Sequence, residues 1–447
     1  MKVLLFHGYM LRGTGSNIYT ASVASALARL GHEVHLVCQE RQVRPEGVEV
    51  HNPDIHGLLP VYVKDPYEGF EVKVFPELSD AELDAYLEAN VEAVRSVAAQ
   101  IGGFDAALAG HLVMGPAILA RAGIGAFAAK IHGSALEYTV KPHPRFLPYA
   151  EEGMEAASGV LVGSRHTAES LWEALPGSEA LREKTRLGPP GVDTEAFRPR
   201  QGRRRSPLVV FIGKLIVSKG LDLLLAAWPL VLREHPEARL RIAGWGEYEA
   251  GIRRLLAALD RGDLDDAREV ARLGRALEGG GEGPLPILAG FLADPPPGYL
   301  EAARGAGRSI ELIGRLEHDQ VAELLPEAEA LVMPSTFPEA FGMVAAEAAA
   351  CGALPVSAGH SGMLEVSRAL ATALPAEVAP LTSFEVESGA VEAIAARLVA
   401  WLSLEDEERE AARMALVETA RRLWSWEGVA RGVIAASSGE LDRLPLA

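Results

Sequence analysis

Two rounds of strand–helix alternation, split by an Arg- and Pro-rich stretch near residue 203, predict an α/β protein of two Rossmann-like domains. The strands are short apolar runs and the segments between them carry helical periodicity, the pattern of a parallel sheet covered by helices. Loops rich in glycine and polar residues follow the strands, where ligands sit in open α/β sheets.

In the first domain Val3–Phe6 reads as a strand. Ile18 to Leu30 reads as a helix, with Val23, Ala26, Leu27 and Leu30 on one stripe and Gly31 as its stop. Val34–Cys38 is the next strand, and Ser79-Asp80-Ala81-Glu82 opens a helix towards Gln100 with a capping box. Strands follow at Ala106–Ala109, Ala128–Ile131 and Val160–Val162, and Ser164 caps a further helix. The second round starts with a strand at Leu208–Ile212 and a helix at Leu221–Leu232. Its further strands are Leu240–Ala243, Ile310–Ile313, Ala330–Met333 and Leu354–Ser357. Residues 251–308 are too long for a single connecting helix and read as an insertion: a lid, an oligomer contact or a mobile ornament. His51 to Pro76 reads as a long irregular stretch that could line an acceptor pocket. The expected domains are 1–202 and 203–423, facing each other across a cleft, followed by a segment 424–447.

Composition narrows the function. A net charge of −18, shared by both halves, does not suit nucleic acid or an anionic membrane. No apolar run reaches the roughly 20 residues that span a bilayer, and Met1–Phe6 is too short for a signal-peptide core. Two cysteines, Cys38 and Cys351, argue against a disulfide scaffold and fit a reducing cytoplasm. The basic cluster of Arg198, Arg200, Arg203, Arg204 and Arg205 reads as a solvated linker among Pro199, Gly202 and Pro207. The sequence shows no clustered His/Cys set for zinc and no G-x-x-x-x-G-K-[ST] phosphate loop, and no metal or cofactor is expected. Asp263-Leu264-Asp265 reads as a solvated helix start, not a metal ligand pair.

The chemistry-bearing residues concentrate at strand ends. Glu339 and Glu347 lie eight residues apart, the first in a Pro- and Gly-containing turn, the second in an Ala-rich helix over Met343 to Ala350. Eight helical residues span about 12 Å, enough to hold a sugar at one end and a ribose at the other. Acceptor-only carboxylates suit hydroxyl-rich ligands, and the open N–H groups at the helix start, around Phe341-Gly342, suit phosphate or sugar oxygens. In Gly213–Gly220, Lys214 and Lys219 are placed to reach one diphosphate and to stabilise its departure. Gly314-Arg315-Leu316, Pro334-Ser335-Thr336 and His360-Ser361-Gly362 follow other strands of the second domain. In the first domain, His132-Gly133 follows a strand and Gly13-Thr14-Gly15-Ser16-Asn17 opens the first helix. The dinucleotide fingerprint would need glycine where Ile18 stands, which disfavours a nicotinamide enzyme.

Taken together, these residues resemble glycosyltransferase family 4, retaining enzymes of the GT-B arrangement. The resemblance runs through Gly13–Asn17 with Ala28–Val34, His132-Gly133, Gly213–Gly220, Gly314-Arg315 and Pro334 through Gly352. It implies that Glu347 holds the nucleotide's ribose and Glu339 the donor sugar. The amides of Phe341, Gly342, Met343 and Val344 would touch sugar and diphosphate, which Lys214 and Lys219 would bind. His132 would sit beside the sugar and Gly15 near the phosphates or the acceptor. The family more often has arginine where Lys214 stands, so the charge is kept and the bidentate fork lost. The resemblance further implies domain closure, with hinges near 203 and after about 420. It also implies a C-terminal helix over 424–447 that crosses back to the first domain. The expected partners are a nucleotide-sugar donor, with UDP-glucose as the default, and a sugar or small-molecule acceptor. Two alternatives stay open: a phosphorylase of similar architecture and a non-catalytic sugar-nucleotide sensor.

Overall fold

The computed structural model describes residues 1–64, 67–177, 179–200 and 207–447. It divides the chain into two compact units, Met1–Gly191 with Trp424–Ala447, and Val192–Leu423. The junction thus precedes Val192 and does not lie near 203. Residues after it are tied to the second unit: the Phe197 ring lies 4.9 Å from that of His318, and Arg200 pairs with Glu327 at 3.1 Å. Arg203, Arg204 and Arg205 of the expected linker lie outside the described residues.

In the first unit the strands are β1 (Lys2–Phe6), β2 (Glu33–Val37), β3 (Val48–His51), β4 (Leu58–Val61), β5 (Glu71–Val74), β6 (Ala106–Gly110), β7 (Phe127–Ile131), β8 (Gly159–Val162) and β9 (Thr185–Leu187). Seven of them form one parallel sheet in the order β3-β2-β1-β6-β7-β8-β9. The central strands β1 and β6 are buried and apolar, as in parallel sheets covered by helices on both faces. Ser79 and Glu82 form the expected capping box at the start of the helix Asp80–Ile101. The stretch His51 to Pro76 is not wholly irregular: β4 and β5 pair there in parallel. The last helix, Trp426–Ser437, packs on β6, β7, β8 and the helix Gly15–Arg29. Gly191 makes room for it, because a Cβ there would meet the Trp426 ring at 2.6 Å.

The second unit has β10 (Leu208–Ile212), β11 (Arg239–Ala243), β12 (Ile310–Gly314), β13 (Ala330–Met333), β14 (Leu354–Ala358) and β15 (Ser383–Phe384). They form a parallel sheet in the order β12-β11-β10-β13-β14-β15. The chain winds outwards from β10 to β12, then returns to lay β13 on the other side of β10, pairing Val209 with Ala330. That reversal makes the C-terminal ends of β10 and β13 the crevice where a ligand binds in such sheets.

The insertion 251–308 is a packed helical layer and not a loose ornament. Its helices Glu249–Arg261 and Tyr299–Ala303 lie against the helix Leu221–Glu234, and the Tyr299 hydroxyl donates to the Ala226 carbonyl at 2.9 Å. Asp263 caps the helix Leu264–Leu273 by accepting from the Asp266 amide at 3.1 Å, so the D-x-D pattern is a helix start. Among the described residues no helix is long and apolar enough to cross a membrane.

Candidate active site

The switch point of the second unit gathers most of the residues singled out in the sequence. After β10 the chain makes a tight turn over Val217–Lys219 and enters the helix Leu221–Glu234 through Gly220. Gly220 has φ 65, and a Cβ there would stand 2.0 Å from the Pro334 carbonyl oxygen. Only glycine lets the lysine loop come this close to the end of β13. The approach is fastened by hydrogen bonds: the Thr336 amide donates to the Ser218 carbonyl at 2.8 Å, and Ser335 Oγ donates to the same carbonyl at 3.0 Å.

This contact brings Lys219 and Glu339, 120 residues apart in sequence, into a direct ion pair. Ser335 Oγ also lies 2.9 Å from Glu339 Oε1, and the Glu339 amide donates to Ser361 Oγ at 3.0 Å. His360 supports the arrangement, with Nε2 2.9 Å from the Ser335 carbonyl oxygen and Nδ1 3.1 Å from Ser361 Oγ. Gly362 closes it from below, since a Cβ there would meet the Ala340 carbonyl oxygen at 2.5 Å. Lys219 and Glu339 are each about a quarter exposed, so the pair is held by its neighbours yet open to a ligand.

The helix Met343–Ala350 follows, with Gly342 at φ 98 as its N-cap and no side-chain cap. Its first amides are therefore available to oxygens of a ligand. Glu347 lies on the buried side, 3% exposed, with Oε1 2.8 Å from Nε2 of His318. Burial lowers the His318 pKa, but the Glu347 bond and the carboxylates of Glu347, Asp193 and Asp319 outweigh it, leaving the pKa raised above 6.5. A raised histidine pKa adds stability that is complete below the unfolded value and lost as pH rises through the folded one. His318→Gln is accordingly expected to flatten the fall in melting temperature of the wild type above pH 6.5, as thermal unfolding across pH would show. Equal slopes for the two proteins would remove the ion pair.

Lys214 and Arg315 share a platform that the sequence did not reveal. Trp245, between Gly244 and Gly246 at the end of β11, lies under the Arg315 guanidinium at 4.5 Å and the Lys214 ammonium at 5.9 Å. Its place directly after a strand, between two glycines, was the available signal. Gly314 and Arg315 are exposed and Leu316 is half-buried beside them. Glu339 and Glu347 do not touch; each has its own cation, Lys219 and His318. Sequence reasoning also missed His318, 29 residues from its partner, because no motif spacing connects the two.

His132 and Gly15 belong to the first unit. Gly15 starts the helix Gly15–Arg29, and Tyr19 on that helix meets the His132 ring at 5.0 Å. Around His132 lie Lys130, His111 and His7, none of which the sequence singled out. The His111 and His132 rings are 4.8 Å apart and those of His7 and His111 5.6 Å. His111 has φ 68, uncommon for a non-glycine residue and a mark of functional sites. Both its ring nitrogens and Nε2 of His132 are buried without a protein partner. Burial pushes His7 down to about 4 and His111 and His132 well below 6.5, so all three are neutral at pH 7. Burial also lowers Lys130 to about 7, where its ammonium sits over the Tyr19 ring at 5.1 Å and donates to the Gly188 carbonyl.

Known proteins share this plan. Residues 13–196 match the family model described as Glycosyltransferase Family 4, and residues 206–276 and 299–421 match models described as Glycosyl transferases group 1. The chain is 25% identical to a GDP-mannose-dependent monoacylated alpha-(1-6)-phosphatidylinositol monomannoside mannosyltransferase of Corynebacterium glutamicum, over 61% of this chain and 68% of that protein. It is 28% identical to a GDP-mannose-dependent alpha-(1-6)-phosphatidylinositol monomannoside mannosyltransferase of Mycolicibacterium smegmatis, over 56% of each. It is 27% identical to a D-inositol 3-phosphate glycosyltransferase of Streptomyces scabiei, over 79% of this chain and 72% of that one. Among solved structures, HepE of Anabaena in complex with UDP-glucose superposes with a TM-score of 0.62 at 14% identity, covering 99% of this chain and all of the other. Sucrose-phosphate synthase from Thermosynechococcus elongatus gives 0.59 at 19%, covering 99% and 98%. Fold and matches together define a glycosyltransferase with the GT-B fold. The matches over residues 13–196, 206–276 and 299–421 support a glycosyltransferase of the family 4 type.

Proposed function

We propose that the chain moves a hexosyl group from a nucleoside-diphosphate sugar to an acceptor hydroxyl with retention of configuration, forming an α-glycosidic bond. The observation that carries this reading is the Lys219–Glu339 pair at the switch point of the second unit, beside an uncapped helix whose buried face carries Glu347. Glu347 accepts the ribose hydroxyls, Arg315 and Leu316 pack beside the nucleotide next to Gly314, and Lys214 and Lys219 bind the diphosphate. Glu339 accepts from the sugar's hydroxyls. The amides of Phe341, Gly342, Met343 and Val344 receive sugar and phosphate oxygens. For His132 and Gly15 of the first unit, the family resemblance alone suggests roles towards the donor sugar and towards a phosphate or the acceptor.

The acceptor oxygen attacks the anomeric carbon from the face that the diphosphate leaves. The bond from that carbon to the phosphate oxygen breaks with its electron pair on the phosphate. A phosphate oxygen takes the acceptor's proton. No side chain need form a covalent bond, and positioning with charge stabilisation supplies the rate. Two lysines take the charge that a divalent cation meets in other transferases, so turnover is expected to persist in excess chelator; its loss there would contradict this part of the reading.

The donor's base is read from relatives alone: the two monomannoside mannosyltransferases named above are GDP-mannose-dependent, while HepE was solved with UDP-glucose. The two buried free cysteines and the acidic surface favour a soluble acceptor in the cytoplasm. Incubation with each nucleotide sugar and a panel of inositol-phosphate and sugar acceptors tests the reading through nucleotide release. Proton spectra of the product then give its anomeric configuration. An α-linked product from an α-linked donor is expected, and a β-linked one would contradict retention.

A further inference from the structure

A second constellation lies on the edge of the first unit's sheet, among residues that the proposed reaction does not use. The parallel register sets His35 of β2 opposite Glu49 of β3, and Val37 opposite His51. Side chains alternate along a strand, so Glu33, His35, Glu49 and His51 share one face. His35 Nδ1 is 3.0 Å from His51 Nε2 and 3.7 Å from Glu49 Oε2, and His51 Nε2 is 3.9 Å from Glu49 Oε1. Tetrahedral zinc with nitrogen and oxygen ligands at about 2.0–2.2 Å sets those atoms about 3.3–3.6 Å apart. The two rings stand slightly closer than that range, Glu49 approaches each ring slightly farther through a different carboxylate oxygen, and one ligand atom from each residue lies within 4.8 Å of the other two.

The other ring nitrogen of His35, Nε2, lies 3.1 Å from Glu33 Oε1. A carboxylate there keeps the proton on Nε2 and leaves the lone pair of Nδ1 facing His51, as it does behind metal-ligating histidines. The two rings stack at 5.3 Å and the Phe104 edge closes one side at 5.8 Å. His35 is 2% exposed and Glu49 66%, so the cluster is anchored within and open to solvent on one side. Among the described residues this is the one group of three His, Cys, Asp or Glu side chains whose ligand atoms, one from each, all lie within 4.8 Å of one another.

We propose that His35, His51 and Glu49 bind a divalent transition-metal ion, zinc matching best, with water as the fourth ligand and Glu33 fixing the ligating tautomer of His35. Two imidazoles and a carboxylate select such an ion over magnesium or calcium. The metal displaces the proton otherwise shared between the two rings and clamps the short edge strand β3 to β2.

The test uses the untagged full chain, stripped with chelator and titrated with zinc against a chromogenic indicator, then with cobalt(II). One tight zinc equivalent, a tetrahedral cobalt absorption band and a raised melting temperature on zinc addition are expected. His51→Ala is expected to lose the tight equivalent, and Glu33→Gln to weaken it about 10–100-fold. Both positions reach solvent, and if His51→Ala did not fold, Glu33→Gln alone would decide. No stoichiometric uptake, or uptake of equal affinity in the variants, overturns the proposal and leaves an imidazole–imidazole hydrogen bond in its place.

Discussion

Lys219→Ala is expected to lower turnover roughly 10²–10³-fold, the usual loss when one preorganised group facing developing charge is removed. The donor KM should move far less, because charge on the leaving diphosphate grows as the bond breaks and the ammonium gains most of its interaction then. Lys219 also neutralises Glu339, so the single variant alone does not separate the two effects. Glu339→Gln and the double variant do. If Lys219 served only to balance Glu339, the double variant would recover the rate of Glu339→Gln. With Lys219 on the diphosphate, the two losses compound. Steady-state kinetics on the three proteins decides, and an unchanged rate in Lys219→Ala removes it from the mechanism.

Glu347→Gln is expected to raise the dissociation constant for the nucleotide about ten- to hundredfold. A buried carboxylate accepts both hydroxyls of a ribose through charge-assisted bonds, each worth about 1.5–3 kcal/mol. The amide keeps the shape, offers one acceptor, and turns a donor towards a hydroxyl or towards His318. The His318 partner makes the loss specific: it holds the carboxylate in one orientation, 2.8 Å from Oε1, before any ligand arrives. Calorimetric titration of the free nucleoside diphosphate measures the effect. Affinity within a factor of two of the wild type would remove Glu347 from the ribose.

Much of this site was legible because strand-end loops in a doubly wound sheet are written in local sequence. Apolar runs marked β10 and β13, glycines marked the loops after them, and the Ala-rich run marked a helix over Met343–Ala350 with the bounds observed. Three kinds of information were not local. His318 meets Glu347, and Trp245 meets Arg315, only after separate βα units are laid side by side. His35 and His51 stand 16 residues apart, and only the parallel pairing of β2 with β3 makes them neighbours, so a search for spaced zinc ligands passed over them. The strands β4 and β5 were hidden differently: Pro60 interrupts the first, and neither joins the main sheet, so the segment read as a loop. Lys130 was passed over because a charged residue inside an apolar strand carries no motif; its burial marks it out only in three dimensions. The domain junction moved from 203 to Gly191/Val192 because composition marks a Pro/Arg-rich stretch, whereas packing by Phe197 and Arg200 assigns the residues before it.

The claim on which the rest depends is that the second unit binds a nucleoside diphosphate sugar through Glu347. A thermal-shift panel of UDP, GDP and ADP with their common sugars, on the wild type and on Glu347→Ala, tests it directly. A ligand at a hundred times its dissociation constant adds about 2.7 kcal/mol, enough to move the transition visibly. The expected result is a shift with one nucleotide and its sugar that disappears in Glu347→Ala. A wild-type shift with inorganic phosphate or a sugar phosphate but with no nucleotide would contradict it.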